Sequence, residues 1–149
     1  MPLDPLEDDA MCFCCGVKNP IGLKLEFERT PEGRLRTVWT PRKEHQGFKD
    51  IVHGGLVATV LDEVMVQLLS LRGIPAVTAG METKLIRPLR WGRAYRFEAW
   101  IVRDRGKAVV TEAESFDVES GERVAWGKAT CMRVGPHAGF PATGAARAE

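Results

Sequence analysis

The longest regular pattern in this chain of 149 residues lies at 56–71, which reads LVATVLDEVMVQLLSL. Apolar residues recur there every three or four positions, as on the inner face of a helix, and Gly73 and Pro75 follow where such a helix would stop. At about 100° per residue, the polar residues share one narrow stripe; they are Thr59, Asp62, Glu63, Gln67 and Ser70. A helix that is apolar around the rest of its circumference has to be wrapped by other elements.

Strand-like segments lie on both sides of this helix. Two alternating segments, 23–28 and 34–40, flank a turn at 31–33 and predict a hairpin. Four longer segments follow the helix and predict an antiparallel meander; they are 77–86, 94–102, 108–118 and 123–134. Runs of strands around a single helix indicate the α+β class, here one curved antiparallel sheet of about six strands wrapped around a long central helix.

The charges nearly cancel, with 21 basic residues, 20 acidic residues and a net charge of +1. This balance argues against nucleic acid or a membrane surface as a partner, because both attract chains rich in Lys and Arg. No apolar run approaches the roughly 18 residues of a transmembrane helix, and the acidic start does not resemble a signal peptide, so a cytoplasmic protein is expected. The predicted organisation is an irregular N-terminus at 1–11, one domain at 12–135, and a disordered or loosely packed tail at 136–149.

The four cysteines favour reduced thiols over a metal centre or a disulfide framework. Cys12, Cys14 and Cys15 are crowded together, and Cys131 lies far along the chain. A structural zinc site usually takes four ligands from two spaced pairs, and the second pair is missing here. In an extended segment the adjacent Cys14 and Cys15 would point apart. We therefore expect no metal, and a zinc-binding module stays the weaker alternative.

The segment His53-Gly54-Gly55, directly before the predicted helix, is where chemistry is expected. Its glycines allow close approach to a ligand and leave free N–H groups at the positive end of a helix, where they can hold a developing oxyanion. Asp62 follows nine positions after His53, and a desolvated carboxylate there could serve as base or nucleophile. The structural alternative is a plain helix entry, with Asp62 and Glu63 on the solvated stripe.

Four segments together resemble the PaaI-like branch of the hotdog-fold acyl-CoA thioesterases, in the 4-hydroxybenzoyl-CoA thioesterase superfamily. The central one is 51–63, IVHGGLVATVLDE; the others are 15–23, 81–92 and 117–127. In that family HGG opens the central helix and an acidic residue follows nine positions after the histidine. The resemblance implies the hotdog fold, which agrees with the order of elements read from periodicity.

The resemblance also implies roles for individual residues. Gly54 matches the glycine whose backbone N–H polarises the thioester carbonyl, and Asp62 matches the catalytic carboxylate. Thr78 falls where many members carry a Ser or Thr that positions the attacking water. His53 matches a histidine that shapes the loop, and this structural role is favoured over a proton shuttle. Glu63 is offset from Asp62 by about 100° around the helix, so both cannot face one pocket.

One family position departs from the pattern. Members commonly carry Asn or Gln six residues before the HGG histidine, to donate a hydrogen bond near the thioester. This chain has Gly47 there, with Gln46 and His45 just before it. Gln46 is the candidate for that role if the loop is one residue longer, and His45 is the alternative.

A basic stretch supplies candidates for binding the phosphates of coenzyme A. It runs from 87 to 107, and the candidate residues are Arg87, Arg90, Arg103, Arg105 and Lys107. In acyl-CoA enzymes of this fold the nucleotide lies on the surface near strand ends. The alternative is a solvated strand face whose charges are balanced elsewhere.

The expected function is hydrolysis of an aryl- or medium-chain acyl-CoA, with Asp62 as general base or nucleophile and coenzyme A as part of the substrate, so no separate cofactor is expected. A non-catalytic acyl-CoA-binding protein is the alternative, although the eleven residues before Cys12 leave no room for a DNA-binding helix-turn-helix. A hotdog dehydratase needs a catalytic histidine paired with a carboxylate across the pocket. This function is disfavoured because His45 and His137 lie in a loop and in the tail, and His53 lies in a thioesterase-like motif. We expect a homodimer or a dimer of dimers, with Gly54 of one subunit opposite Asp62 of the other.

Overall fold

The structure is a computed structural model, and it describes residues 6–134. It contains one α-helix, one short 3-10 helix at Lys43–His45, and six strands. The long helix is α1 (Gly54–Leu71), and the strands are β1 (Phe27–Arg29), β2 (Leu35–Trp39), β3 (Ala76–Leu85), β4 (Tyr95–Arg105), β5 (Ala108–Asp117) and β6 (Arg123–Arg133). The predicted tail at 136–149 lies outside the described residues, and of the predicted N-terminal segment the structure describes 6–11, where it has no helix or strand.

All six strands form one antiparallel sheet in the order β1-β2-β4-β5-β6-β3, and α1 packs against β2, β3, β4, β5 and β6. The buried residues of α1 are the apolar positions that its sequence pattern selects: Val57, Val60, Leu61, Val64, Met65, Leu68 and Leu69. By length and composition alone α1 could cross a membrane, but these core contacts identify it as the interior helix of the domain. The predicted fold, one sheet around one central helix, is confirmed.

The order of the strands corrects one expectation. The four strands after α1 do not form a continuous meander, because β3 pairs with β6 and β4 pairs with β2 and β5. The connection from β3 to β4 crosses the end of the sheet and is held there by a bond from the N–H of Val52 to the carbonyl of Leu89 at 2.8 Å. As a result β3 lies at one edge of the sheet and the three-residue β1 at the other.

The first hairpin is also shorter than predicted. Only 27–29 of its first arm pairs with β2. The N–H groups of Leu23 and Leu25 instead donate to the carbonyls of Phe13 and Cys14, both at 2.8 Å. The alternating pattern correctly predicts that Leu25 is buried. The backbone partner of this part of the segment, however, is the cysteine-containing N-terminal turn. Lys24, which lies between the two bonded residues Leu23 and Leu25, has a φ of 57°.

Candidate active site

Asp62 and Thr78 form a hydrogen-bonded pair between the helix and the edge strand. Asp62 lies in the third turn of α1, and Thr78 lies on β3 where the register with β6 shifts between Thr78 and Gly80. The Thr78 hydroxyl donates to Oδ1 of Asp62 at 2.6 Å, and both residues are half-buried. Sequence reasoning named both residues, and the structure brings them together.

The environment of Asp62 makes its carboxylate more basic than a free one. Burial raises the pKa of Asp62 above its usual range, and the charge of the neighbouring Glu63 raises it further; the hydrogen bond from Thr78 acts in the opposite direction. A carboxylate whose pKa moves towards the working pH is better suited to accept a proton.

The start of α1 presents one unused backbone donor. His53 is the N-cap, and its Nδ1 accepts from the N–H of Gly55 at 3.0 Å. Its carbonyl accepts from Leu56 and Val57 at 2.9 and 3.3 Å. Among the first four N–H groups of the helix, only that of Gly54 has no acceptor within residues 6–134. His53 thus shapes the turn, and the N–H of Gly54 could donate to an oxygen atom of a ligand.

Two surface depressions meet at Gly54. One, of about 270 Å³, runs towards the end of β3, and another, of about 360 Å³, is lined by the loop that includes Phe48. A Cβ at position 54 would lie 2.8 Å from Cδ1 of Leu85, so the glycine keeps this approach open. Phe48, which lines the second depression, is 86% exposed.

Gly54 and Asp62 of one chain are too far apart to act on the same carbonyl. Eight residues of α-helix separate them, a rise of about 12 Å. They also lie at opposite ends of β3, since Gly54 abuts Leu85 and Asp62 binds Thr78. A site that used both groups would therefore need a second copy of the chain.

Glu63 is directed away from the Asp62 site. Its Oε2 accepts from the Cys12 thiol at 3.4 Å and from the Gln67 amide at 3.3 Å. The thiol of Cys15 completes a group with Cys12 and Glu63 in which all ligand atoms lie within 4.8 Å of one another. Sequence reasoning missed this group, because its carboxylate is 51 positions from Cys12 and no local spacing connects them.

The loop before the helix does not bring Gln46 to Gly54. The Gln46 side chain accepts a bond from the N–H of Asp50 at 3.1 Å and thereby shapes its own turn. It does not line either depression at Gly54 among the described residues. A Cβ at Gly47 would be in ordinary contact with His53, at 3.4 Å. The glycine that replaces the family's Asn or Gln at this position is therefore not required by close packing.

His45 is part of the core. It is buried against Trp39, and its Nδ1 accepts from the N–H of Arg42 at 2.9 Å. Burial lowers the pKa of His45, and the charge of Arg42 lowers it further. A neutral, internally bonded ring of this kind has a structural role.

The basic residues do not form one cluster within the chain. Arg87 and Arg90 lie in the β3–β4 connection, whereas Arg103, Arg105 and Lys107 lie at the other end of β4. Arg87 pairs with Glu122 at 3.2 Å. Within the described part of the chain the other four cations make no ion pair, so they are free to meet an anion.

Comparisons with known proteins agree on one family. The family described as "Thioesterase superfamily" matches residues 49–124, about half of the chain. No curated protein matches the sequence.

Solved structures share the fold at low sequence identity. One thioesterase superfamily protein superposes with a TM-score of 0.75 and 21% identity over 80% of this chain, which spans 61% of that protein's length. The PaaI protein from the phenylacetic acid degradation operon of E. coli has a TM-score of 0.70 and 18% identity, with 76% of this chain and 81% of that one covered. A hypothetical thioesterase from Streptococcus pneumoniae TIGR4, solved with coenzyme A, has a TM-score of 0.69 and 16% identity, with 74% and 86% covered.

Proposed function

The chain belongs to the thioesterase superfamily, and we propose that it hydrolyses the thioester bond of an aryl- or medium-chain acyl-CoA. The predicted superfamily is confirmed by the family match; the shared fold with the PaaI protein and the family itself support a thioesterase of the PaaI-like kind. The observation that carries the proposal is the bonded pair of Asp62 and Thr78, a basic carboxylate at the position that the resemblance assigns to catalysis. The coenzyme A in the pneumococcal relative favours CoA as the thiol of the substrate.

In the proposed reaction Asp62 acts on the thioester carbonyl carbon. As a general base it takes a proton from water while the water oxygen attacks this carbon; the C–S bond then breaks and the departing thiolate receives that proton. As a nucleophile its own oxygen attacks and expels the thiolate, which is protonated from solvent, and water then cleaves the mixed anhydride to the free acid and the Asp62 carboxylate. Thr78 holds the carboxylate and the water in line. The N–H of Gly54 stabilises the negative charge that develops on the carbonyl oxygen. The products are the free acid and the thiol of coenzyme A.

A two-fold contact between β3 strands would assemble this site. If two β3 edges pair antiparallel about Glu82, with the register shift between Thr78 and Gly80 counted, Leu85 of one chain lies beside the partner subunit's Thr78. Gly54 packs on Leu85 and Asp62 binds Thr78, so the donor of one chain then faces the carboxylate of the other. The proposed assembly is a homodimer with two such sites, alone or as half of a tetramer.

The same two-fold relation would gather the basic residues. The connection carrying Arg87 and Arg90 in one subunit then lies at the same end of the double sheet as Arg103, Arg105 and Lys107 of the other. We place the phosphates of coenzyme A at this end, and the acyl group near Phe48 and Gly54. Hydrolysis of a soluble CoA ester fits a cytoplasmic location.

The test is a hydrolysis screen over acyl-CoAs of varied length and aromaticity, with free thiol as the readout. Asp62→Asn should lower turnover at least about a hundredfold without loss of fold or acyl-CoA binding, and Glu63→Gln, its neighbour in the chain, should have a much smaller effect. The reverse order of the two variants would show that the catalytic carboxylate is misplaced. Binding without hydrolysis of any ester by the natural chain would replace the enzyme with an acyl-CoA-binding protein.

The role of Asp62 is distinguished by a single turnover in oxygen-18 water. Label that enters the protein carboxylate, with the first acid released largely unlabelled, identifies a nucleophile. Label that appears directly in the acid identifies a general base.

A further inference from the structure

We propose that Cys12, Cys15 and Glu63 form a Zn²⁺ site that fastens the N-terminal turn to the central helix. The two thiol sulfurs and a carboxylate oxygen all lie within 4.8 Å of one another, and Cys12 Sγ is 3.4 Å from Glu63 Oε2. In a tetrahedral zinc site, bond lengths of about 2.3 Å to sulfur and 2.0–2.2 Å to oxygen separate such atoms by roughly 3.6–3.8 Å. The three groups need only small side-chain rotations to reach this geometry.

The turn that carries the sulfurs is held in place by its own polar contacts. The N–H of Gly16 donates to the carbonyl of Cys12 at 2.8 Å, and a Cβ at Gly16 would lie 2.6 Å from the carbonyl of Ala10, so only glycine fits. The ammonium of Lys24 donates to the carbonyls of Gly16 and Val17 at 3.2 and 2.9 Å. This arrangement fixes the two cysteines before any ion binds.

The third cysteine of the turn has a different environment. Cys14 is buried, with 5% of its surface exposed, among the apolar core residues. Cys12 and Cys15 are half-buried and lie on the side of the turn that meets α1. The division of the three thiols follows from the turn geometry, and it leaves a Cys-x-x-Cys pair for the ion.

The donor set points to zinc. Thiolates select soft or borderline ions, and two thiolates with one carboxylate are ligands that Zn²⁺ takes in proteins. Within residues 6–134 no Lys or Arg pairs with Glu63; its partners are a thiol and the Gln67 amide. A divalent cation would balance the negative charge of this group, with solvent as the fourth ligand from a cavity of about 610 Å³ that Cys12 and Cys15 line.

The site is separate from the proposed thioester chemistry. Asp62 binds Thr78, whereas Glu63 binds the cysteine turn. The ion would therefore hold the segment that lines the 610 Å³ cavity against α1 and need not touch the substrate. Its presence can be tested without any activity measurement, so failure of one proposal does not decide the other.

The test uses the full chain, reduced, stripped with a chelator and titrated with Co²⁺ and then Zn²⁺. We expect one Co²⁺ per chain with sulfur-to-cobalt charge-transfer absorption, and its loss on addition of one equivalent of Zn²⁺. Cys12→Ser, Cys15→Ser and Glu63→Gln should each weaken zinc binding at least about tenfold, because each removes one ligand. Cys14→Ser is the matched control, since it changes the adjacent thiol and should keep the absorption.

Alkylation of the natural chain gives an answer even if a variant fails to fold. Peptide mass spectrometry should show Cys12 and Cys15 protected from iodoacetamide by one equivalent of Zn²⁺ and reactive without it. The proposal is overturned by the absence of thiolate absorption and of protection, or by binding that depends on Cys14 and survives loss of Cys12 and Cys15. It is equally overturned if the two cysteines are joined in a disulfide and take no metal after reduction.

Discussion

Complementation between two inactive variants tests whether the site is shared between subunits. Gly54→Pro removes the backbone N–H that is proposed to bind the oxyanion. Proline is tolerated at the first position of a helix, and His53, with a φ of −57° and a ψ of 125°, already has the extended conformation that precedes proline. Asp62→Asn removes the carboxylate and leaves an amide of nearly the same shape. Each variant alone should be inactive, because both sites of its homodimer lack the same group.

The expected recovery follows from the geometry of the chain. About 12 Å of helix separates position 54 from position 62, so the proposed site uses Gly54 from one subunit and Asp62 from the other. In a hybrid of the two variants, one site receives both defects and the other receives none. Random pairing makes half of the dimers hybrids, and each hybrid has one intact site of two. A mixture that is dissociated and reassembled should therefore regain about a quarter of the natural activity.

Gly54→Ala is the control for the added side chain. It brings the same Cβ towards Leu85, 2.8 Å from Cδ1 before adjustment, but it keeps the N–H, so it should retain more activity than Gly54→Pro. Acyl-CoA hydrolysis is measured on mixtures whose hybrid content is verified by native mass spectrometry. No recovery in verified hybrids would place both groups on one chain and refute the shared site.

Three further predictions concern single elements of the site. Thr78→Ala should lower kcat/KM by about tenfold to a hundredfold and move the acidic limb of its pH profile upwards, because the lost hydrogen bond had lowered the pKa of Asp62; Thr83→Ala on the same strand should leave the limb in place. Asp62→Asn should raise the Tm near neutral pH by about 2–4 °C. In a chain of this size, a shift of that amount corresponds to a gain in the free energy of unfolding on the order of 1 kcal/mol. Because burial raises the folded pKa of Asp62, the charged form costs stability, so calorimetry should show the gain disappear as the pH falls below the unfolded pKa; a gain that persists in acid would contradict this reasoning. Charge reversal at Arg103 and Arg105 should raise KM for acyl-CoA about fivefold or more but not for a short thioester without the nucleotide, and equal effects on both substrates would assign these arginines to the fold.

The helix and the strands could be predicted from the periodicity of the sequence, but which strands pair with one another could not. The 3.6-residue spacing of α1 and the lengths of β3 to β6 are local properties, so they appear in the pattern. Pairing of β3 with β6 depends on how the chain crosses the end of the sheet after Leu85, which no local pattern records. For the same reason the alternation at 23–28 predicts one strand, although Leu23 and Leu25 bond to the N-terminal turn.

The candidate site divides in the same way. Asp62 and Gly54 could be named because the spacing after His53 is a sequence feature, and the resemblance supplied Thr78. The 2.6 Å bond between Thr78 and Asp62 depends on the register of β3 over α1, and the meeting of Glu63 with Cys12 and Cys15 depends on the docking of a distant turn. Glu63 and Asp62 are neighbours in sequence, but the rotation of about 100° between them sends their side chains to different partners.

The two edge strands of the sheet differ in the length of unpaired backbone that they expose. β1 pairs over only three residues, and so short an edge offers little to another strand. β3 runs for ten residues without proline, and a Cβ at Gly80 in its middle would meet nothing within 4 Å. A long exposed edge of this kind invites pairing with another chain unless a specific partner occupies it. Because Asp62 binds one end of β3 and Gly54 abuts the other, the proposed antiparallel pairing of two such edges would protect the sheet and complete the site with the same contact.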